Sequence, residues 1–141
     1  MTEVHNEVIS LSHGTNATSA GPIIEYRASD VSLRYDHQGE NGEIEWTFVI
    51  FREVLALEVY DNSVCSVADI RHSDEIMSHA QSTWLSQVLE PWRQRVGWQE
   101  FQHKAGGEKR FKHYQIYFDD VCCVRVIARS CAISETAHDT H

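Results

Sequence analysis

The chain contains no apolar run near the roughly 18 residues that a membrane span requires. Its first twenty residues lack a basic start followed by a continuous apolar stretch, so nothing there reads as a secretion signal. These absences set the expectation of a cytoplasmic protein without a membrane partner. Cysteine is sparse, with Cys65, Cys122, Cys123 and Cys131 only. No C-x2-C or C-x2-H knuckle is present, which argues against a zinc site. Reduced thiols at core or edge positions are the simpler reading. The spacings G-x-S-x-G, H-E-x-x-H, G-x-G-x-x-G and the EF-hand loop are missing too. We therefore expect no cofactor, and we favour binding over catalysis.

What is present suits one α+β unit. A chain of 141 residues, 42% of them hydrophobic, is enough for a single autonomous core. Residues 1–20 are rich in Ser, Thr, Asn and Gly and read as a flexible tail, or at most as a loosely docked strand at Val8–Leu11. Residues 21–133 form the expected domain, and residues 134–141 a second flexible tail. His138 and His141 in that tail have His-x-x-His spacing, but a flexible segment does not preorganise a metal site.

Strand signals come first. Val31–Tyr35 alternates strictly, and the cluster from His37 to Gly42 includes Asn-Gly, a strong hairpin signal. Glu43–Phe51 follows as a strand with Ile44, Trp46, Phe48 and Ile50 on one face and Glu43, Glu45 and Thr47 on the other. Leu55–Tyr60 is a third strand, closed by Asp61-Asn62-Ser63. Then the period changes. Ser73 suits an N-cap, and Ile76, Met77, Ala80, Trp84, Leu85, Val88 and Leu89 fall at helical spacing, with Pro91 near the expected end. Phe111–Phe118 and Val121–Ala128 read as a last strand pair joined at Asp119-Asp120. The expected fold is thus an antiparallel sheet of about five strands in the order β-β-β-α-β-β, with one amphipathic helix packed on one face.

The net charge of −9 is uneven: residues 1–75 hold 14 acidic and 4 basic side chains, and residues 76–141 hold 7 and 8. An acidic half disfavours a nucleic-acid backbone and favours a cationic protein partner. Glu40, Glu43, Glu45, Glu58 and Asp61 form the candidate acidic face, whose simpler reading is the solvated side of a sheet. Trp92, Arg93, Arg95 and Trp98 offer hot-spot chemistry, or equally material for closing a core. The segment from His103 to Tyr114 carries four of the twelve Lys and Arg residues. Within it, Lys109, Arg110, Lys112 and His113 compose an alternative anion site, against the plainer account of a solvated hairpin. Asp119-Asp120 pairs two carboxylates, as metal or acid–base chemistry requires, but turn formation explains them more simply.

The closing segment His113–Asp120, continuing to Val126-Ile127-Ala128, resembles the C-terminal hairpin of small bacterial proteins. The Phe48–Tyr60 strand pair followed by Ser82-Thr83-Trp84-Leu85 adds to the likeness, which extends in size and charge to toxin-immunity proteins. The resemblance covers about two-thirds of the chain by layout and implies no catalytic residue. It implies a binding module, an immunity-type inhibitor of a cationic toxin or nuclease, with a homo-oligomer also open. The alternative is a small enzyme or ligand-binding domain for a phosphate-containing or otherwise anionic molecule.

Overall fold

The computed structural model describes residues 6–11, 21–38, 42–66, 75–104, 107–118 and 121–136. Within them lie nine strands: β1 Asn6–Ser10, β2 Ile23–Arg27, β3 Asp30–Gln38, β4 Ile44–Arg52, β5 Ala56–Asp61, β6 Glu75–His79, β7 Lys112–Phe118, β8 Cys122–Ala128 and β9 Ser130–Thr136. Two α-helices, α1 Thr83–Arg93 and α2 Trp98–Lys104, separate β6 from β7. The strands form two antiparallel sheets, ordered β1-β6-β7-β8-β5 and β2-β3-β4-β9. The expectation of one five-stranded sheet with a single helix is corrected accordingly, while its α+β, antiparallel character stands.

The alternation in β3 shows directly in its burial. Val31, Leu33, Tyr35 and His37 are buried, while the residues between them stay partly exposed. Inward residues of β3 and β4, among them Val49 and Phe51, meet Ile76, Tyr114, Ile116, Phe118, Val124 and Val126 from the other sheet. Tyr35 and Phe118 pack edge to face, with ring centroids 5.3 Å apart, across this core. In β4 the inward set is Thr47, Val49 and Phe51, so Ile44, Trp46, Phe48 and Ile50 face outward. The guanidinium of Arg34 covers part of that outer face, 5.3 Å from the Trp46 ring centre.

The two sheets are joined by one bent ribbon. β4 pairs β9 through Arg52↔Ser130, and β5 pairs β8 from Ala56↔Ile127. Between those pairs Glu53, Val54 and Leu55 stand opposite only Ala128 and Arg129. That extra residue is a bulge, which bends a strand and lets it change sheets. Glu53 takes the left-handed conformation there, with φ of 50°. Asp30 holds the bend: its carboxylate accepts Arg52 Nη1 at 2.8 Å and the Glu53 N–H at 3.1 Å. Val54 N–H donates to Ser29 at 2.7 Å and Arg129 N–H to Arg52 at 2.9 Å, closing the corner.

The helical segment starts later than its periodicity suggested. Glu75–His79 is a strand between β1 and β7, and Ile76, Met77 and Ser78 are all buried. A strand buried on both faces shows no alternation, which is why its apolar residues merged into the helical stripe. Ser82 is the actual cap, accepting the Leu85 N–H at 3.0 Å. Pro91 lies inside the last turn of α1 instead of ending it. The proposed cap Ser73 lies outside the described residues, as do Asp119 and Asp120.

Helix α1 lays Leu85 and Leu89 on the face of the five-stranded sheet that points away from the inter-sheet core, against Ile127 and Phe111. The layers therefore run sheet, sheet, helix.

Two measurements check this account. Phe51→Ala, which empties an inward site, should cost about 3–5 kcal/mol in urea unfolding, and Phe48→Ala on the outer face less than half of that. Asp30→Ala should lower Tm by loosening the bend. Hydrogen bonds from Arg52 and the Glu53 N–H hold the Asp30 carboxyl below its ordinary 3.8. Its contribution is thus present above that pH and drains as pH falls, so mutant and parent Tm values should converge in acid.

Candidate functional site: two grooves flanking helix α1

The period of α1 sends its non-core residues to two flanks. On one, Val88, Pro91 and Trp92, with Arg95 just beyond the helix, line a groove of about 330 Å³ completed by Leu55. On the other, Ser82, Ser86, Leu89 and Arg93 line a groove of about 340 Å³ with Gln81 and Lys109. Both volumes sit at the low end of ligand-site sizes.

The first groove has a rigid aromatic wall. Trp92 packs edge to face on Trp98 at 5.3 Å and on Phe111 at 5.9 Å between ring centroids. Trp92 thus closes the helix–sheet core and also lines the groove, so the two readings of this tryptophan are both realised in one side chain. Leu55 is exposed beside it. Arg93 belongs to the opposite flank because it is one residue, about 100°, further round the helix.

The second groove combines hydrogen-bond donors with cations. Arg93 Nη1 donates to Ser86 Oγ and to Glu90 Oε2, each at 3.2 Å, which sets the guanidinium along the helix. Lys109 arrives on the short 3-10 turn Gly107–Arg110. Gly107 seats that turn: with φ of 56°, a Cβ there would stand 1.4 Å from Gln102 Oε1 of α2. Behind the groove, Ser82 Oγ lies 2.9 Å from His113 Nδ1. The buried His113 ring meets His79 at 5.3 Å and Trp84 at 5.0 Å between centroids.

The alternative anion residues are accordingly divided. Lys109 lines the groove, and His113 reaches it through Ser82. Lys112 pairs with Ala128 in the inward-facing row and so points to the opposite side of β7 from His113. Arg110 is half-buried and is not among the lining residues. Sequence reasoning did not single out Gln81, Ser82 or Ser86, which lie between the apolar positions of the expected helix. It had placed Arg93 with the tryptophans.

The acidic residues also separate. Glu43 precedes β4, and Glu45 lies within it in the four-stranded sheet, opposite the buried His37. Glu58 and Asp61 belong to the five-stranded sheet. Glu58 accepts the Tyr60 hydroxyl, which raises the Tyr60 pKa, and Arg125 lies 5.0 Å over the Tyr60 ring. Asp61 caps the 3-10 turn Asn62–Val64, accepting Ser63 Oγ at 2.6 Å and the Ser63 N–H at 3.0 Å, and these bonds lower its pKa. Glu40 lies outside the described residues.

Cys122 and Cys131 are poorly suited to nucleophilic work at neutral pH. Burial pushes Cys122 up to about 11, helped by Cys65 and Asp61, and pushes Cys131 up to about 12. Among the described residues no three His, Cys, Asp or Glu side chains converge on a metal-sized site. No described helix is long and apolar enough to cross a membrane. No family model, curated protein or solved structure matches the chain.

A pH titration of stability checks the thiol assignment. The folded state holds these protons more tightly than the ordinary 9.0, so their contribution is complete below pH 9.0 and drains as pH rises toward 11 and 12. Cys131→Ala should flatten part of that alkaline fall in a Tm-against-pH profile.

Proposed function

We propose that the protein is a protein-binding module, and that the groove at Trp92 and Arg95 is its anchoring site. The observation that carries this reading is a held aromatic wall open to solvent, with Leu55 exposed at its side. Rigid aromatic and arginine groups anchor interfaces because they remove large apolar area from water while losing little rotamer freedom. The net charge of −9 adds long-range attraction for a cationic partner, which raises its encounter rate. The layout resemblance to immunity proteins makes a basic toxin or nuclease the first partner class to try, and inhibition by occlusion the mechanism. Recognition would then divide between diffuse acidity that brings the partner in and a local groove that holds one of its apolar side chains.

The test is capture of basic proteins by the immobilised chain, with Pro91→Asp and Leu55→Asp as groove variants and circular dichroism as the fold control. A true partner should be retained by the parent and lost by both variants. Its association rate should fall steeply as salt rises through the range where the screening length shrinks to about 8 Å. Equal retention by both folded variants would sink the groove assignment, and a salt-independent rate would sink the steering.

A further inference from the structure

We propose that the groove on the other flank of α1 is a binding site for a small oxyanion carrying an apolar body, such as an organic phosphate or carboxylate. This site is independent of the protein-binding groove, since the helix stands between them.

Three features converge. The lining is unlike the molecule that carries it: the chain has a net charge of −9, yet the groove is lined by Arg93 and Lys109 and, among the described residues, by no carboxylate. Glu90 sits at the rim as the partner of Arg93 and offsets one of these charges, leaving Lys109 in excess. The floor is apolar, made by Leu85 and Leu89. A purely inorganic ion would leave that floor wet, whereas an apolar body would cover it.

The third feature is the wiring of Ser82. A hydroxyl oxygen has two acceptor sites and one proton to give. Ser82 Oγ already accepts the Leu85 N–H at 3.0 Å, and His113 Nδ1 lies 2.9 Å away. When Nδ1 carries the ring proton, Ser82 Oγ accepts from both groups, and its own O–H is turned to a third partner. When Nδ1 is bare, the Ser82 O–H is consumed by the histidine. An oxyanion in the groove selects the first arrangement, because only then does Ser82 donate to it. His113 is therefore a positioning residue: it sets the direction of the Ser82 proton without touching the ligand. Lys109 supplies the attracting charge, Arg93 a planar donor held in place by Ser86, and Gln81 a further amide donor.

Nitrogen-15 NMR titration of the full-length chain with phenyl phosphate, phenylacetate and benzyl alcohol tests this. At least one anion should saturate, shifting the Ser82, Ser86 and Lys109 amides and moving the His113 Nδ1 resonance toward its protonated position; the neutral alcohol should not saturate. Tighter binding of the phosphate assigns an organic phosphate, and tighter binding of the phenylacetate assigns a carboxylate. Lys109→Gln, at an exposed position, and Arg93→Gln should each weaken the preferred anion by roughly tenfold, the loss expected for one charge-assisted hydrogen bond. The proposal is overturned if neither anion saturates by about 10 mM, if benzyl alcohol binds as well, or if folded Lys109→Gln binds with unchanged affinity. Saturation with an unmoved His113 resonance overturns the role given to the Ser82–His113 pair. The Leu55→Asp variant should bind the anion as the parent does, which separates this site from the groove at Trp92.

Discussion

The bent ribbon of β4–β5 and β8–β9 is the constraint on which the rest of the structure depends. A single antiparallel pair runs from one sheet into the other, and one surplus residue at the bend turns its direction. Because both strands cross together, the inner faces of the two sheets are brought opposite each other without a long connection. Asp30 is well placed to hold the bend, since it grips both a side chain and a backbone N–H of the bulged strand. The core around Tyr35, Phe51 and Phe118 is the consequence. Apolar rows that alternate along separate strands become one packed layer only when the ribbon folds them together.

Helix α1 depends on that layer in turn. The five-stranded sheet has one face spent on the inter-sheet core, so its other face is free to receive the helix. A cylinder laid on a nearly flat surface leaves a concavity along each side, and the residues of each concavity follow the helical period. Trp92 and Arg95 fall on one side, and Ser82, Ser86 and Arg93 on the other. The two grooves differ in chemistry because of what the sheet and the following turns add. Leu55 completes an apolar wall on the first side, and Lys109 adds charge on the second.

Much of the strand pattern was legible where one face is buried and the other wet. Val31–His37 alternates in sequence and in burial alike, and the Asn-Gly signal before β4 agrees with the observed β3–β4 pairing. The β2–β3 hairpin was not legible, because Ala28 and Ser29 adopt φ of 50° and 72° without a glycine or asparagine to announce the turn. Strand β6 was hidden by burial on both faces, and β9 by its few large apolar residues. In β4 the alternation identified two faces correctly but suggested a solvated acidic one. The inward side is the one that begins at Glu45 and continues through Thr47, Val49 and Phe51. Ile44 to Ile50, richer in apolar residues, faces out.

The candidate sites divide along the same line. Composition and residue order established the net charge, the sparse cysteines without a zinc-knuckle spacing, the antiparallel α+β character and the chemical promise of the Trp92–Trp98 segment. Those properties belong to residues singly or to neighbours within a few positions. Tertiary structure decided that Arg93 parts from Trp92, that Lys109 joins Ser82 and Ser86, and that Lys112 and His113 point apart. It also decided that the acidic residues divide between two sheets. These are relations across a helix radius or a strand pleat, where a shift of one residue reverses direction, and between segments brought together only by the bent ribbon and the helix laid upon it.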